Sequence, residues 1–518
     1  MVRRLVVLFF AGLLAVWGAC SGNGAGSDAG DGKDADGTSG DGDLYLAAGS
    51  LVWALGAGAS EMTCGIGVAP AGAHETVITG VFKGDSIVLG AGEPNQTALI
   101  PEDDFDMFVA RFKEDGSLDW ARRAGGTDID LGTRVEACPD GTFLVLVFVQ
   151  GSCVFGPGEA GETQLDAQGT PDLVLARYAA DGDLLSVVKA AVLNMNIPTL
   201  NRAFGAPMGF DVPADGSAWL AGYFAGSATL GPGQTGEKVL SSSGPRDMLV
   251  ARFDSTGQLL FSTQAGGTGE TFSHAVAAFE DGSCVITGGF GESATFGQGE
   301  PGETTLVSEA DFDFFVARYG PDGRLAWVRR AGGSPSGFQW GNSMAALPDG
   351  SVVVAGDFTG VATFGPGEAT ETELQSIGTH TVFFARFAEN GDLIWARQVH
   401  GVSSAYDVVA GEDRFILVGK FDGTATLGLG EENETALSSD GGMDIFVARY
   451  DLDGRLAWAR RAGGTGLDFA ATSALMPDGS TFTTGSFETR AIFGPGEDNQ
   501  TYLRSKGEWD LFLMKLAP

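Results

Sequence analysis

Basic residues are scarce in this chain of 518 amino acids. Lys and Arg together number 31 against 67 Asp and Glu, which gives a formal net charge of −36 at pH 7. Nucleic acids and anionic lipid surfaces attract proteins through clustered Lys and Arg. The composition therefore argues against a nucleic-acid partner and against adsorption to a lipid surface, and it is compatible with cation binding.

Histidine is also rare, and no catalytic motif is present. None of the four histidines has the spacing of a metal site: His74, His274, His380 and His400. We find no G-x-S-x-G, no P-loop and no Ser/His/Asp set. His274 is expected to be a lone polar residue facing a channel. The sequence names no reaction, and whether the chain is an enzyme stays open.

Cysteine is limited to five residues, of which four follow Cys20: Cys64, Cys138, Cys153 and Cys284. An exported protein may form disulfides because its compartment is oxidising. Cys138 and Cys153 share a hairpin but lie at different distances from its turn, so we do not expect them to pair. A Cys64–Cys153 bond and four buried free thiols both remain open.

Only the N-terminus contains a long apolar run. Two arginines precede an apolar stretch over 5–17, which is typical of a signal peptide and too short for a spanning helix. The following Gly-Ala-Cys resembles a bacterial lipobox, with cleavage before Cys20 and lipid on its sulfur; plain secretion is the alternative. Ser21 favours sorting to the outer membrane, facing the periplasm or the cell surface. We predict a signal peptide over 1–19 and membrane contact only through the lipid anchor.

Residues 20–43 are rich in Gly and Asp and predict an extended, self-repelling linker that cannot form a core. The remainder, 44–518, repeats one pattern, D-x-F-V-A-R, with a period of about 67 residues. The repeats are anchored at seven positions: Asp106, Asp172, Asp247, Asp313, Thr381, Asp444 and Asp510. We number the repeats one to seven in this order.

Each repeat contains four short apolar segments bounded by Gly, Asp or Pro, which indicates four β-strands. Turns such as "EDG" and "LDG" between the third and fourth segments predict tight hairpins. The third segment is apolar on both faces, as expected for a strand packed between two sheets. We therefore predict an all-β, seven-bladed β-propeller of four-stranded antiparallel blades. The ring is closed by pairing about 51–56 with about 511–516, because the domain opens on a fourth strand and ends on a third.

The segment "DFFVARYGPDGRLAWVRRAGGS" (313–334) and the segment "LLFSTQAGGTG" (259–269) resemble the bacterial SBBP-type β-propeller repeat. The resemblance covers about 44–518 and implies a secreted bacterial propeller. It departs from the family where Trp-Ala-Arg-Arg replaces a strand richer in Tyr, Ser and Thr. The resemblance implies no reaction.

Two sets of charged residues recur with the repeat. The arginine of D-x-F-V-A-R is expected to pair with repeat acids or to cap carbonyls between blades. A G-x-G-E motif follows the second strand, with Gln234 in the third repeat; its acids are candidate calcium ligands, although a turn with a solvated acid is the simpler interpretation: Glu93, Glu159, Glu300, Glu368, Glu431 and Glu497.

These observations predict a monomeric, non-catalytic lipoprotein of the cell envelope, whose propeller is a scaffold that binds a protein or a polysaccharide. Residues that break the repeat are the expected source of specificity, above all the divergent stretch 186–213. One alternative is a hydrolase or lyase acting on polysaccharide in the central channel. The other is a calcium-dependent adhesion or envelope component.

Overall fold

The computed structural model describes residues 46–167, 171–194, 209–333, 337–378 and 380–518. Every regular element of secondary structure named within these ranges is a β-strand. No described helix is long and apolar enough to cross a membrane. The predicted signal peptide, the lipidation site Cys20 and the linker over 20–43 lie outside the described residues and stay predictions.

Forty strands follow one another in the described parts of the chain. Those up to the third repeat are β1 Leu51–Ala57, β2 Met62–Pro70, β3 Thr76–Lys83, β4 Ile87–Leu89, β5 Thr97–Leu99, β6 Asp106–Phe112, β7 Leu118–Gly126, β8 Asp130–Ala137, β9 Phe143–Val149, β10 Ser152–Phe155, β11 Thr163–Asp166, β12 Asp172–Tyr178, β13 Leu184–Asn194, β14 Gly209–Asp211, β15 Ala218–Phe224, β16 Ser227–Leu230, β17 Lys238–Ser241, β18 Asp247–Phe253 and β19 Leu259–Ala265.

The strands of the later repeats are β20 Thr271–Ala278, β21 Cys284–Phe290, β22 Ser293–Phe296, β23 Thr304–Val307, β24 Asp313–Tyr319, β25 Leu325–Gly333, β26 Gln339–Ala346, β27 Val352–Phe358, β28 Val361–Phe364, β29 Thr372–Gln375, β30 Thr381–Phe387, β31 Leu393–Ala410, β32 Arg414–Leu427, β33 Thr435–Ser438, β34 Asp444–Asp451, β35 Leu456–Gly464, β36 Phe469–Leu475, β37 Thr481–Phe487, β38 Arg490–Phe493, β39 Thr501–Arg504 and β40 Asp510–Leu516.

Each repeat builds an antiparallel meander around a third strand that is buried on both faces. In the fourth repeat, for example, β20, β21, β24 and β25 pair in that order, and every residue of β24 is buried. The "DG" turn between the third and fourth strands has a second role. Gly182 has a φ of +89°, and a Cβ there would lie 2.6 Å from the ring of Trp120 in the preceding repeat. The turn glycine therefore also lets the fourth-strand tryptophan of one repeat pack beneath the next.

The predicted closure of the chain is confirmed. The strand β1 pairs antiparallel with β40, with Leu51 opposite Leu516 and Gly56 opposite Phe512. Together with β36 and β37 these two strands form one four-stranded sheet. Joining the first strand to the last removes two open sheet edges.

The predicted seven separate blades are wrong. Five blades are discrete, each in its own sheet: that of β1, β36, β37 and β40, and those that contain β2, β8, β14 and β20 as their first strands. The strands expected to make a fifth and a sixth blade belong to one continuous ten-stranded sheet that runs from β26 to β39. The fold is an all-β propeller with five discrete blades and this large sheet.

The ten-stranded sheet arises from a short connection. Elsewhere glycines interrupt the chain between a fourth strand and the next first strand, whereas β31 runs for 18 residues without a break. From Ala396 to Ala410 the chain is two residues shorter than from Ala121 to Ala137, and "VHGVSS" replaces "AGGTDI". The shorter connection contains one glycine where the longer one contains two, and glycine disfavours strand, so fewer glycines favour continued strand.

The four-stranded blade is also too simple a description. The segment that we assigned to the end of the second strand splits off as a separate hairpin, such as β10 and β11. This hairpin pairs with the fourth strand of the preceding repeat, as β10 does with β7. Three of the discrete blades are therefore six-stranded sheets, and the hairpins cover part of each outer edge.

Candidate binding site at the axial mouth

The first strands of the repeats pack against one another around the propeller axis. The strand β2 contacts β8 and β36, β20 contacts β14 and β26, and β31 contacts β26 and β36. A side chain on one of these strands can reach the first strand of its neighbour. The axis is therefore the place where residues from different repeats meet.

Six of the first strands carry a β-bulge at the same position. The pairing register shifts by one residue between Gly132 and Arg134, for example, and between Gly341 and Ser343. The extra residue differs in every repeat: Ile66, Thr133, His274, Asn342, Tyr406 and Ala471. A bulge re-aims a side chain without disturbing the rest of the strand. The repeat thus keeps the geometry and varies the chemistry at the axis.

The bulge side chains reach the next repeat. His274 Nδ1 lies 3.1 Å from the carbonyl oxygen of Gly341, and Asn342 Nδ2 donates to the carbonyl of Ala405 at 3.0 Å. The ring of Tyr406 packs edge-on against Phe469 at a centroid distance of 6.2 Å. Tyr406 and the bulge residue Ile66 also contact the same apolar cluster. His274 is therefore one member of a recurring set of bulge residues and not the lone polar residue that we expected; that it faces a channel stays a prediction.

Aromatic rings surround these residues where the first and third strands begin. Phe338 stacks on Trp340 at 4.1 Å between centroids, and Phe272 lies 6.1 Å from Trp340. We call this set the aromatic arc: Tyr223, Phe272, Phe312, Phe338, Trp340, Phe469 and Trp509. Phe312, Phe338 and Trp340 are partly exposed. Partly exposed rings near polar groups are typical of binding sites.

A polar cluster with perturbed ionisation lies beside the arc. Asp357 is 4 % exposed, and its Oδ2 accepts hydrogen bonds of 2.8 Å from both Asn342 Nδ2 and Ser404 Oγ. Burial raises the pKa of Asp357 to about 6, in spite of these donors. Its Oδ1 accepts no hydrogen bond from the described residues. The cluster therefore contains one buried carboxylate oxygen that has no partner among the described residues.

Lys420 completes this cluster. Its Nζ lies 5.4 Å from the ring centroid of Tyr406. Burial lowers the pKa of Lys420 to about 8, although Asp357 opposes the change. Burial and then Lys420 lower the pKa of His380, whose ring lies 5.0 Å from Phe338. Perturbed groups that lie together indicate a functional site. We define the axial mouth as this polar cluster together with the two rings that adjoin it: Asn342, Asp357, Ser404, Tyr406 and Lys420, with Phe338 and Trp340.

Further charged residues line the axis in the second, third and sixth repeats. Asp407 accepts hydrogen bonds of 2.8 Å from Ser343 Oγ and Thr472 Oγ1. Burial lowers the pKa of Arg134, and the negative charge of Asp407, which belongs to another repeat, partly offsets this decrease. Burial and then Asp211 raise the pKa of Glu136. The acids that a channel enzyme would need do lie near the axis.

The G-x-G-E acids have a structural use. Glu300 Oε2 accepts the backbone N–H of Leu325 at 2.7 Å, and Glu431 Oε2 accepts that of Leu456 at 2.6 Å. The leucine begins the fourth strand in every repeat, and the same bond is made by Glu93, Glu159, Glu368, Glu497 and the amide of Gln234. In this hydrogen bond each acid serves its own repeat, and Glu159 and Glu431 also pair with an arginine of the preceding repeat. No group of three or more metal-ligating side chains occurs among the described residues, and calcium binding stays a prediction.

The arginines of the third strand join neighbouring repeats, as predicted. Arg252 binds Asp215 at 2.5 Å, and Arg386 binds Asp349 at 2.7 Å. Arg386 Nη1 also donates to the carbonyl of Leu452 in the following repeat at 3.0 Å. Five of these arginines combine an ion pair with a carbonyl cap, which leaves them little freedom to bind a ligand: Arg111, Arg177, Arg252, Arg318 and Arg386.

The remaining predicted residues lie apart. His74 contacts Asp478 at 3.1 Å, and His400 lies on β31. The four cysteines Cys64, Cys138, Cys153 and Cys284 are buried and unpaired. Of the divergent stretch 186–213, residues 195–208 lie outside the described residues, so its role in specificity stays a prediction.

Sequence reasoning missed the axial bulges and the aromatic arc. A signal was present, since a small residue stands directly before each bulge residue, as in Gly-Asn-Ser over 341–343. A bulge depends on register between two strands, however, and register shows only in the paired structure.

No protein-family model matches the chain. The resemblance to the SBBP repeat therefore does not establish that the chain belongs to that family. The chain is similar to an uncharacterized WD repeat-containing protein of Acanthamoeba polyphaga mimivirus, with 23 % identity over 233 residues. The match covers 39 % of this chain and only 17 % of the length of that protein. It supports a propeller of WD-repeat type.

Two solved structures illustrate how distant the structural neighbours are. A protein of unknown function from Bacteroides caccae is 12 % identical, with a TM-score of 0.27 over 65 % of this chain and 94 % of its own. A eukaryotic initiation factor is 7 % identical, with a TM-score of 0.31 over 84 % of this chain and 98 % of its own. Neither bears on what this chain does.

Proposed function

We propose that the chain is a non-catalytic cell-envelope lipoprotein whose β-propeller binds a polysaccharide at the axial mouth. One observation carries the proposal: the repeats conserve a bulge at the axis and place a different side chain on it each time. The consensus charges serve packing between and within repeats. The residues left to distinguish ligands are therefore those of the axial mouth.

A polysaccharide is favoured over a protein by the chemistry of the mouth. Sugar rings present C–H groups on their faces and hydroxyls on their edges. The partly exposed rings of Phe338 and Trp340 offer apolar faces, and Asp357 Oδ1 offers an unpaired acceptor nearby. The net charge of −36 favours neutral or cationic ligands over anionic ones. The lipobox at Cys20 supports tethering in the envelope, where such polymers occur.

Binding of envelope polysaccharides to immobilised 44–518 tests the proposal, followed by an array of defined glycans. We expect Trp340→Ala to reduce affinity by about fivefold, because stacking of this kind contributes on the order of 1 kcal/mol. Tyr502→Ala is the matched control, since Tyr502 is an aromatic residue 53 % exposed on the outer hairpin strand β39. Melting temperatures of both variants confirm that they are folded.

The outcomes separate the alternatives. Glycan binding that is lost in Trp340→Ala and kept in Tyr502→Ala supports the proposal. Glycan binding that is equal in both variants places the site elsewhere and refutes it. Retention of a defined envelope protein with no glycan bound would favour the protein-binding scaffold instead.

A second candidate is a hydrolase or lyase that acts on polysaccharide at the same mouth. Asp357 favours it, because a buried carboxyl with a pKa of about 6 is suited to donate a proton near neutral pH. New reducing or unsaturated ends would appear when bound glycan is incubated with the protein, and Asp357→Asn would abolish them while binding persists. Unchanged glycan chain length after incubation refutes catalysis and leaves the scaffold.

A further inference from the structure

The fifth repeat departs from the consensus at three positions that touch one another in other repeats. In the fourth repeat, Arg330 Nη1 binds the carboxylate of Asp313 at 2.7 Å. Gly332 lies directly over that carboxylate, and a Cβ there would collide with it. The aspartate, the arginine and the glycine form one interlocked set, which recurs in the sixth repeat as Asp444, Arg461 and Gly463.

The fifth repeat replaces the whole set with Thr381, Gln398 and His400. The Oγ1 of Thr381 still accepts the N–H of Ile377 at 2.7 Å, as the anchor aspartates do four residues upstream. A neutral hydroxyl cannot form the ion pair that the aspartate makes with its arginine, and a glutamine stands in place of that arginine. A threonine is also smaller than an aspartate, so the glycine is no longer required and a histidine occupies its place. The three changes are therefore mutually consistent.

A cavity of about 120 Å³ lies beside these residues. It separates the fourth strand of the fifth repeat from the third strand and the G-x-G-E turn of the sixth. Six side chains of its wall carry the argument: Phe384, Arg397, Gln398, His400, Glu431 and Tyr450. Its volume is several times what one water molecule requires.

Three polar atoms of this wall are buried and have no hydrogen-bond partner among the described residues. They are Arg397 Nε, Gln398 Oε1 and the hydroxyl of Tyr450. Tyr450 is 1 % exposed. A buried polar group without a partner costs about 1–3 kcal/mol. The hydroxyls of Tyr178 and Tyr319, at the same position of two other repeats, also lack a partner among the described residues. Arg397 Nε and Gln398 Oε1 are therefore the groups that set this cavity apart and indicate that something polar occupies it.

The Nε of Arg397 differs from its counterpart in the first repeat. Arg122, at the same position of the first repeat, directs its Nε to Glu159 at 3.1 Å. Arg397 instead binds Glu431 through Nη1 at 3.2 Å and the carbonyl of Asp453 through Nη2 at 3.0 Å. Its Nε is therefore left facing the cavity wall without an acceptor.

We propose that this cavity is a second binding site, separate from the axial mouth, that takes a small neutral polyhydroxylated molecule. The charges of Arg397 and Glu431 neutralise each other, so no net charge calls for an ionic ligand. The free groups comprise a guanidinium donor, an amide acceptor and a phenol that can do both. A molecule with hydroxyls on adjacent carbon atoms matches this mixture, because each hydroxyl can both donate and accept a hydrogen bond. Phe384 and Tyr450, 4.9 Å apart between centroids, supply apolar surface for the carbon skeleton.

The test compares wild-type 44–518 with a variant that restores the consensus, Thr381→Asp with Gln398→Arg and His400→Gly. The other repeats show that this set folds. The probes are erythritol, a free polyol, and methyl α-glucopyranoside, a sugar residue, each at up to about 100 mM because small polar ligands bind in the millimolar range. The melting temperature is measured for both proteins. The imidazole NMR signal of His400 is measured for the wild type only, because the variant has glycine there.

We expect a saturable rise in melting temperature and a saturable shift of the His400 signal in the wild type. The restored variant should show only the gradual rise that polyols give every protein by exclusion from its surface. Saturation by erythritol alone assigns a free polyol, and saturation by the glucoside assigns a sugar residue. Equal, non-saturable behaviour of both proteins overturns the proposal.

A second pair of variants tests the phenol. Tyr450→Phe should weaken binding by about tenfold, which corresponds to about 1.4 kcal/mol. Tyr319→Phe removes the hydroxyl at the same position of the fourth repeat and should leave binding unchanged. Equal effects of the two would place the ligand elsewhere and overturn the proposal.

Discussion

Replacement of Glu300 distinguishes a structural acid from a calcium ligand. Glu300 Oε2 accepts the N–H of Leu325 at 2.7 Å, where the fourth strand begins. The preceding repeat carries Thr263 where others carry the arginine that pairs with this acid, so the hydrogen bond can be tested without an ion pair. A hydrogen bond to a charged acceptor contributes about 1.5–3 kcal/mol, and partial exposure places Glu300 near the lower value.

The chain itself provides the matched control. Gln234 occupies the equivalent position of the third repeat, and its amide oxygen accepts the N–H of Leu259 at 2.6 Å. We therefore expect Glu300→Ala to lower the free energy of unfolding by about 1.5 kcal/mol and Glu300→Gln to lower it by less than about 0.5 kcal/mol. A calcium ligand would behave differently, because an amide is a much weaker ligand than a carboxylate.

Urea unfolding of 44–518, followed by tryptophan fluorescence with calcium or with chelator, measures both effects. If Glu300 is a structural acid, the wild type is the most stable, Glu300→Gln is next and Glu300→Ala is the least stable. The stability of all three is then independent of calcium. Equal destabilisation by Ala and Gln, or a wild-type midpoint that rises with calcium and not in the variants, would refute it. The second outcome would establish the calcium-dependent alternative.

Three further predictions concern packing and ionisation. Gly132→Ala should cost about 1–3 kcal/mol, because a Cβ there would overlap Thr79 Oγ1, and Thr79→Ala should recover part of the loss; additive costs in urea unfolding would contradict this. Asp130→Asn should stabilise the protein more at pH 8 than at pH 5. Burial raises the pKa of Asp130 to about 8, so between about pH 4 and pH 8 the native state keeps a proton that the unfolded state has already lost. Wild-type stability therefore falls as the pH rises through that window. A gain in stability that does not depend on pH would contradict this. All four thiols of 44–518 should react with a thiol reagent only after unfolding, with or without prior reduction; fewer reactive thiols in the unreduced protein would demonstrate a disulfide.

Local chemistry made much of the architecture predictable. Strand three is apolar on both faces, the "DG" turns require a positive φ, and the chain begins on a fourth strand, so a closed ring of antiparallel meanders follows from the repeat alone. The pairing of β1 with β40 was predicted within one residue. Each of these features depends on residues near one another in sequence or on the phase of the repeat.

The blade count failed where local chemistry differs little. Residues 396–410 have the same apolar character as their counterparts, yet a connection two residues shorter lets β31 continue through the place where a blade should end. Hydrogen bonding across the break decides whether two blades or one sheet results. That is a cooperative property of paired strands, and it cannot be read from either strand alone.

The candidate sites divide in the same way. The sequence by itself determined the repeat, its all-β class, the closure of the ring and the structural use of recurring arginines, because identical residues in identical surroundings solve one packing problem. Only the tertiary structure decided the rest. It brought His274, Asn342 and Tyr406 to the axis, joined Asp357 to Lys420, and left Arg397, Gln398 and Tyr450 unpaired around one cavity. These residues are far apart in sequence, and their meaning depends on distances and on burial that only the folded chain sets.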